Sequence, residues 1–192
     1  MNQSILHFFN DLVHKSSAVD ILAKFLIDGS FLIIPLVILA VYLIGIFARK
    51  ERCRVAAIHT GCIVVLCLIV GFIIGQLVFE ARPMYALNNV TVLLSHSNDS
   101  SFPSDHMLFC FGTAFGFWQI SKRFSVMIMI FGLLVGIAKI YAAQHYPSDI
   151  LLTILVAFAV YVLYRIFISK WVANYIQLIE RRIFPFLHTT EE

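Results

Sequence analysis

Apolar residues in this chain run in long unbroken blocks, separated by short polar interruptions, and do not alternate with a period of two. Blocks such as FLIIPLVILAVYLIGIF (31–47) and VAAIHTGCIVVLCLIVGFIIGQLVF (55–79) reach the roughly 20 residues that a helix needs to cross a bilayer. The pattern predicts five membrane helices, at 31–48, 56–79, 104–121, 124–143 and 149–169. Residues 1–28 carry Asp11, His14, Lys15, Asp20, Lys24 and Asp28. That density of charge predicts one or two amphipathic helices lying at the interface or dipping into it, with a sixth, polar crossing inside the bundle as the alternative. The tail 171–187 sets apolar clusters around Arg181 and Arg182 and predicts another surface helix. The expected fold class is therefore all-α: a polytopic membrane helix bundle of five to six transmembrane helices with N- and C-terminal amphipathic helices. No repeat or low-complexity stretch divides the chain, so residues 1–192 form one expected domain.

Composition agrees with the pattern. The chain is 60% hydrophobic and only 13% charged, whereas a soluble domain carries about a quarter charged residues. A net charge of +3 without any basic tract interleaved with aromatics gives no reason to expect a nucleic-acid partner. Cys53, Cys62, Cys67 and Cys110 lie in or beside apolar spans without metal-ligand spacing and read as small buried hydrophobes. The first fifteen residues lack a basic segment followed by a clean apolar core, so no cleavable signal peptide is expected.

Charge also orients the bundle. RKERCR (49–54), Lys122, Arg123, Arg165, Lys170, Arg181 and Arg182 all fall on one side of the five expected spans, which the positive-inside rule makes cytoplasmic. The connections 80–103 and 144–148 then face outward. They carry or adjoin Arg82, His96, Ser104, Asp105, His106, His145 and Asp149.

Two of these patches, SSFPSDHM (100–107) and AAQHYPSD (142–149), share Pro, Ser, Asp and His. Pro103 and Pro147 each stand before an apolar run and are expected to open a membrane helix. Ser104 and Asp105 would lie in the first turn of one helix, Ser148 and Asp149 in that of the other. Two such N-termini at the same depth, with Arg82 and Lys139 nearby, make a pocket for a multiply charged anion, and phosphate fits best. Arg82 is a planar cation able to hold two oxygens, although an arginine at the mouth of a span also serves as a snorkelling anchor. Lys139 sits within two turns of the outer end of an apolar span, where an unpaired charge is costly and usually functional. His145 and Asp149 are four apart across a helix start, so the carboxylate can hold one ring nitrogen and leave the other free to attack. His106 can protonate a leaving oxygen.

The same residues resemble a known family. ARP (81–83), PSDH (103–106) and AKIYAAQHYPSD (138–149) are similar to the three signature blocks of the type-2 phosphatidic-acid phosphatase superfamily, over residues 75–150. FEARP, SFPSDH and the upstream His96 resemble the bacitracin-resistance (BcrC-type) undecaprenyl-pyrophosphate phosphatases within it. The resemblance implies a covalent phosphohistidine mechanism with no metal and no cofactor. It casts His145 as nucleophile, Asp149 as its orienting partner and His106 as general acid. Arg82, Lys139 and Ser104 would hold the phosphoryl oxygens, with Glu80, His96 and Asp105 as auxiliary residues. The chain departs from the family pattern at Gly75, where the first block has lysine, and at Ala138 and Lys139, where the third has serine and arginine. The substrate implied is a polyprenyl pyrophosphate lipid, undecaprenyl pyrophosphate. It would be cleaved to undecaprenyl phosphate and inorganic phosphate at the outer face of a bacterial plasma membrane, recycling the glycan carrier. Phosphatidate, phosphatidylglycerol phosphate and transfer to a second lipid are the alternatives within this chemistry. A metal-dependent hydrolase would need a ligand set from His96, His106, His145, Asp105 and Asp149, which lack a His pair at helical spacing and sit beside two cations. A transporter would thread its polar residues through the full depth, whereas these cluster at one face.

Overall fold

The computed structural model describes residues 2–183, without the side chains of 177 and 179–183. All regular elements among them are helical: α1 (Asn2–Asn10), α2 (Ser17–Phe47), α3 (Glu51–Leu77), the single turn α4 (Pro83–Ala86), α5 (Asp105–Phe117), α6 (Lys122–Tyr141), α7 (Pro147–Leu163) and α8 (Ser169–Ile183). A π-helical turn, Tyr164–Ile168, joins α7 to α8. All five expected spans coincide with helices. Among the described residues, four stretches are long and apolar enough to cross a membrane: α2, α3, α6 and α7 continued to Ile176.

The fifth, α5, is shorter at 13 residues, about 20 Å at 1.5 Å per residue. It is the axis of the bundle, packed against α2, α3, α6 and α7. Ten of its residues are buried, whereas α2, α3 and α7 present Leu, Ile and Phe outward, as lipid-facing helices do. Helices α2, α5 and α7 begin, and α3 and α6 end, at the end of the bundle that carries His106, Lys139 and His145.

Small residues let the other helices close on α5. A Cβ placed on Gly132 of α6 would lie 2.8 Å from Cys110 Cβ, and one on Gly116 would lie 2.5 Å from Thr60 Oγ1 of α3. Small-residue contacts of this kind replace the hydrophobic drive that is missing between helices in lipid.

The N-terminal expectation needs correction. Only α1 is a separate amphipathic helix; from Ser17 the chain runs as one helix to Phe47, roughly 46 Å long. That exceeds the ~30 Å hydrocarbon thickness, so the first turns can stand above it with their charges. Asp20 there accepts a hydrogen bond from the Tyr141 hydroxyl. The α1 helix is fastened to the same end of the bundle. Asn10 Nδ2 donates to the carbonyls of Thr91 and Tyr141, both at 2.8 Å, and its Oδ1 accepts from Thr91 N at 2.8 Å. The C-terminal expectation also changes. The π turn keeps the backbone hydrogen-bonded, so α8 continues α7 without a loop and is not a detached surface helix. Residues 184–187 of that expected helix and the side chains of Arg181 and Arg182 lie outside the described residues.

Gly132→Val should lower the melting temperature in detergent by the equivalent of about 1–3 kcal/mol, the cost of overpacking a close helix contact. Circular dichroism against Gly61→Val, whose Cβ direction meets nothing within 4 Å, measures it. Equal melting temperatures would show that α6 does not need this approach.

Candidate active site

The loop between α3 and α5 builds one wall of the site. Ser101 N donates to Glu80 O at 2.7 Å, and Ser100 Oγ donates to Val78 O at 3.1 Å, closing the loop on its own base. Residues Ala81 and Ser100 pair as an isolated antiparallel bridge. The α6–α7 connection supplies the facing wall. Ala143 there adopts a positive φ of 55°, which reverses the chain just before Gln144 and His145. Its carbonyl accepts from Met84 N at 2.9 Å, so the two walls share a backbone bond.

His145 is buried at this junction. Its Nδ1 lies 2.6 Å from the carbonyl of Ser101, and its Nε2 lies 3.1 Å from Nη1 of Arg82. A carbonyl only accepts and a guanidinium only donates, so the proton sits on Nδ1 and the lone pair on Nε2. Burial first, and then the charges of Arg82 and Lys139, push the His145 pKa well below the ordinary histidine value and keep the ring neutral.

Asp149 supports this ring at one remove. Its Oδ2 stands 3.9 Å from His145 Nδ1, beyond a hydrogen bond. Oδ2 instead accepts from Ser101 Oγ at 2.5 Å and from Tyr146 N at 2.8 Å. The carboxylate thus fixes the residue whose carbonyl orients the imidazole.

Arg82 is 4% exposed, which excludes a snorkelling anchor. Nε donates to Asp99 Oδ1 at 2.7 Å, and Nη1 donates to Gln144 O at 3.1 Å as well as meeting His145. The Asp99 carboxyl is raised by partial burial, but its bonds to Arg82 and the Arg82 charge outweigh that and hold it below the ordinary value. Lys139 is buried and donates to Gln144 Oε1 at 2.8 Å. It lines a cavity of about 330 Å³ together with Asp28, Phe31, His96, His106 and Gln144. The His106 ring packs edge-on against Phe31, with centroids 4.1 Å apart.

The two helix N-termini differ. Pro147 opens α7 as expected, but Pro103 lies outside α5, with Ser104 as the residue before its first turn. The α7 end is filled by its own surroundings: Tyr146 N goes to Asp149, and Ser148 N goes to Asn2 Oδ1 at 3.1 Å. At α5, Ser104 N donates to Thr153 Oγ1 at 3.0 Å, while the fully buried Ser104 Oγ has no hydrogen-bond partner. An orphaned buried hydroxyl is costly in place, and here it belongs to a residue expected to meet phosphate.

The remaining expected residues lie around the rim. His96 is half-buried, with Nδ1 3.5 Å from Asp99 Oδ1, and burial and the Arg82 charge lower its pKa. Glu80 is exposed and joins the site mainly through its backbone; burial of its carboxyl and the Asp149 charge raise its pKa. Asp105 is exposed at the start of α5. Among the described residues no three His, Cys, Asp or Glu side chains gather as a metal-ligand set. Asp99, Ser101, Gln144 and Asp28 were not singled out by sequence reasoning. The only available signal was that the first three lie inside polar stretches of an apolar chain.

A family model described as PAP2 superfamily matches residues 56–173. The chain is 29% identical over 157 residues to undecaprenyl-diphosphatase BcrC of Bacillus subtilis (strain 168), covering 82% of this chain and 79% of that protein. It is also 29% identical over 150 residues to a protein named bacitracin transport permease protein BcrC of Bacillus licheniformis, covering 78% and 72%. The fold matches the crystal structure of Aquifex aeolicus LpxE with a TM-score of 0.67 at 19% identity, covering 84% of this chain and 93% of that one.

Nitrogen NMR of histidine-labelled protein should show His145 as the neutral Nδ1–H tautomer from pH 7.5 down to 5.5. A ring titrating near its ordinary value of 6.5 would contradict the buried, Arg82-capped setting.

Proposed function

Because the chain belongs to the PAP2 superfamily, we propose that it hydrolyses a lipid pyrophosphate, undecaprenyl pyrophosphate, to undecaprenyl phosphate and inorganic phosphate through a phosphohistidine. The observation that carries this reading is the setting of His145: Nδ1 lies 2.6 Å from a carbonyl and Nε2 lies 3.1 Å from a guanidinium, which assigns the proton to Nδ1 and the lone pair to Nε2. A nitrogen nucleophile is thereby poised beside the cation that would draw in a phosphoryl group.

Substrate phosphate displaces Nε2 from Arg82. The guanidinium keeps its Nε anchor on Asp99 and turns Nη1 to a phosphoryl oxygen. Lys139 from the cavity side and the unpaired Ser104 hydroxyl supply further donors to the charge that is transferred. Nε2 attacks the terminal phosphorus and the bridging P–O bond breaks, its electron pair leaving with undecaprenyl phosphate. His106 gives that oxygen a proton. Water then attacks phosphorus and passes a proton to His106. The N–P bond breaks, releasing inorganic phosphate and restoring neutral His145.

Exposed apolar surface on α2, α3 and α7 offers the prenyl chain a path in lipid, with only the headgroup at the site. The outward orientation is supported by Arg49, Lys50, Arg52, Lys122, Arg123 and Arg165, all placed by the helix directions at the end away from His145. The apolar spans support an integral membrane location, and the Bacillus relatives support a bacterial one.

Purified protein should release phosphate from undecaprenyl pyrophosphate in EDTA, and faster than from phosphatidate. His145→Ala and His106→Ala should each abolish release while melting as the parent does. Normal turnover in His145→Ala removes the nucleophile, and loss of activity in EDTA removes the metal-free reading. Arg82→Lys should lower kcat/KM by about 100-fold, the scale of a lost transition-state donor. Lys139→Arg should cost less, since Lys139 makes one bond to protein where Arg82 makes three.

A further inference from the structure

A second cavity, larger than the one lined by Lys139, is at the wrong end for this chemistry. It encloses about 860 Å³ between the start of α3, the end of α5 and the end of α7, opposite the end that holds His145. Ligand sites usually occupy about 300–1,000 Å³, so it is large enough for a headgroup and the beginning of a chain.

Its lining is sorted by polarity. Lys50, Arg52 and Arg165 stand on the cavity wall against one carboxylate, Glu51, and all four are exposed. The lining also holds buried residues, Ile63 and Tyr164, the latter 1% exposed. Tyr164 hydroxyl lies 2.6 Å from Nδ1 of His59, which also lines the cavity. Positive residues at one end of a membrane bundle need no ligand to explain them. Two further features do need explanation. The charges line a recess that also holds the buried Ile63 and Tyr164. The helix that forms one wall switches to π geometry at Tyr164–Ile168. Such turns insert a residue into the helix and are frequent at functional sites. Here the turn carries a buried Tyr164 into the floor and sets Arg165 beside it on the cavity wall.

We propose that this recess binds the headgroup of an anionic glycerophospholipid, its phosphate held by Lys50, Arg52 and Arg165 and its first acyl carbons lying on the apolar floor. Charge complementarity selects an anionic headgroup, and the apolar depth selects a lipid over free phosphate. The site is separate from the phosphoryl-transfer end and uses none of its residues, so the proposal does not depend on the reaction assigned there.

Thermal unfolding of the full chain in detergent tests it. Dihexanoyl phosphatidylglycerol should raise the melting temperature of the parent and of Arg82→Ala, which lacks the anion holder of the other end. Dihexanoyl phosphatidylcholine and inorganic phosphate should each give a much smaller rise. In Lys50→Gln/Arg52→Gln the apparent affinity for phosphatidylglycerol should fall at least about tenfold, on the scale of 1 kcal/mol per lost cation, with phosphate release unchanged. Arg165→Gln gives the same test if the double variant does not fold. Equal stabilisation by phosphatidylcholine shows that headgroup charge is not read and overturns the proposal. So does equal stabilisation by inorganic phosphate. A rise lost in Arg82→Ala, or kept at full affinity in the Lys50, Arg52 and Arg165 variants, places the lipid elsewhere and also overturns it.

Discussion

The guanidinium of Arg82 is the joint on which the active end depends. It bonds the Asp99 carboxylate, the Gln144 carbonyl and the Nε2 of His145, three groups from two connections that are distant in sequence. A buried cation left unpaired would cost several kcal/mol, so the fold gains by bringing acceptors to it. The same geometry leaves the imidazole with one committed nitrogen and one available lone pair. Structural satisfaction and chemical readiness here come from one set of contacts.

Around that joint the bundle applies two different kinds of close packing. Away from the active end, Gly116 and Gly132 let α3 and α6 reach α5 closely. At the active end, packing gives way to polar contacts between backbone carbonyls, Ser101, Asp149 and Gln144. Membrane interiors penalise unmet polar groups heavily. Polar chemistry is therefore confined to a layer where every loop can meet another loop, and the α5 terminus keeps one buried hydroxyl unmet.

Much of this was legible in the sequence. Long apolar blocks located the four helices long enough to cross a bilayer and the shorter α5 between them, and the clustering of His145, Lys139, Arg82 and His106 at one end follows from which connections they border. The connections themselves were not legible. No period ties Asp99 to Arg82, and the group that orients His145 is the backbone carbonyl of Ser101, which any residue could supply. Asp149 was read as a direct partner from its spacing, yet the turn at Ala143 and the capping of Tyr146 N draw its carboxylate to Ser101 instead. The unbroken α2 was hidden for a related reason. Charge at Asp20, Lys24 and Asp28 looked like an interfacial segment, while a helix longer than the membrane simply carries such residues beyond the lipid.

Asn2 has a consequence for handling the molecule. Its amide grips both the N–H and the hydroxyl of Ser148, at 3.1 and 2.7 Å, one residue from Asp149. Whatever is joined ahead of that asparagine therefore pulls on a residue that holds the first turn of α7. A bulky fusion partner attached there would strain that turn and the Asp149 it carries, so a silent tagged protein would say more about its tag than about its chemistry.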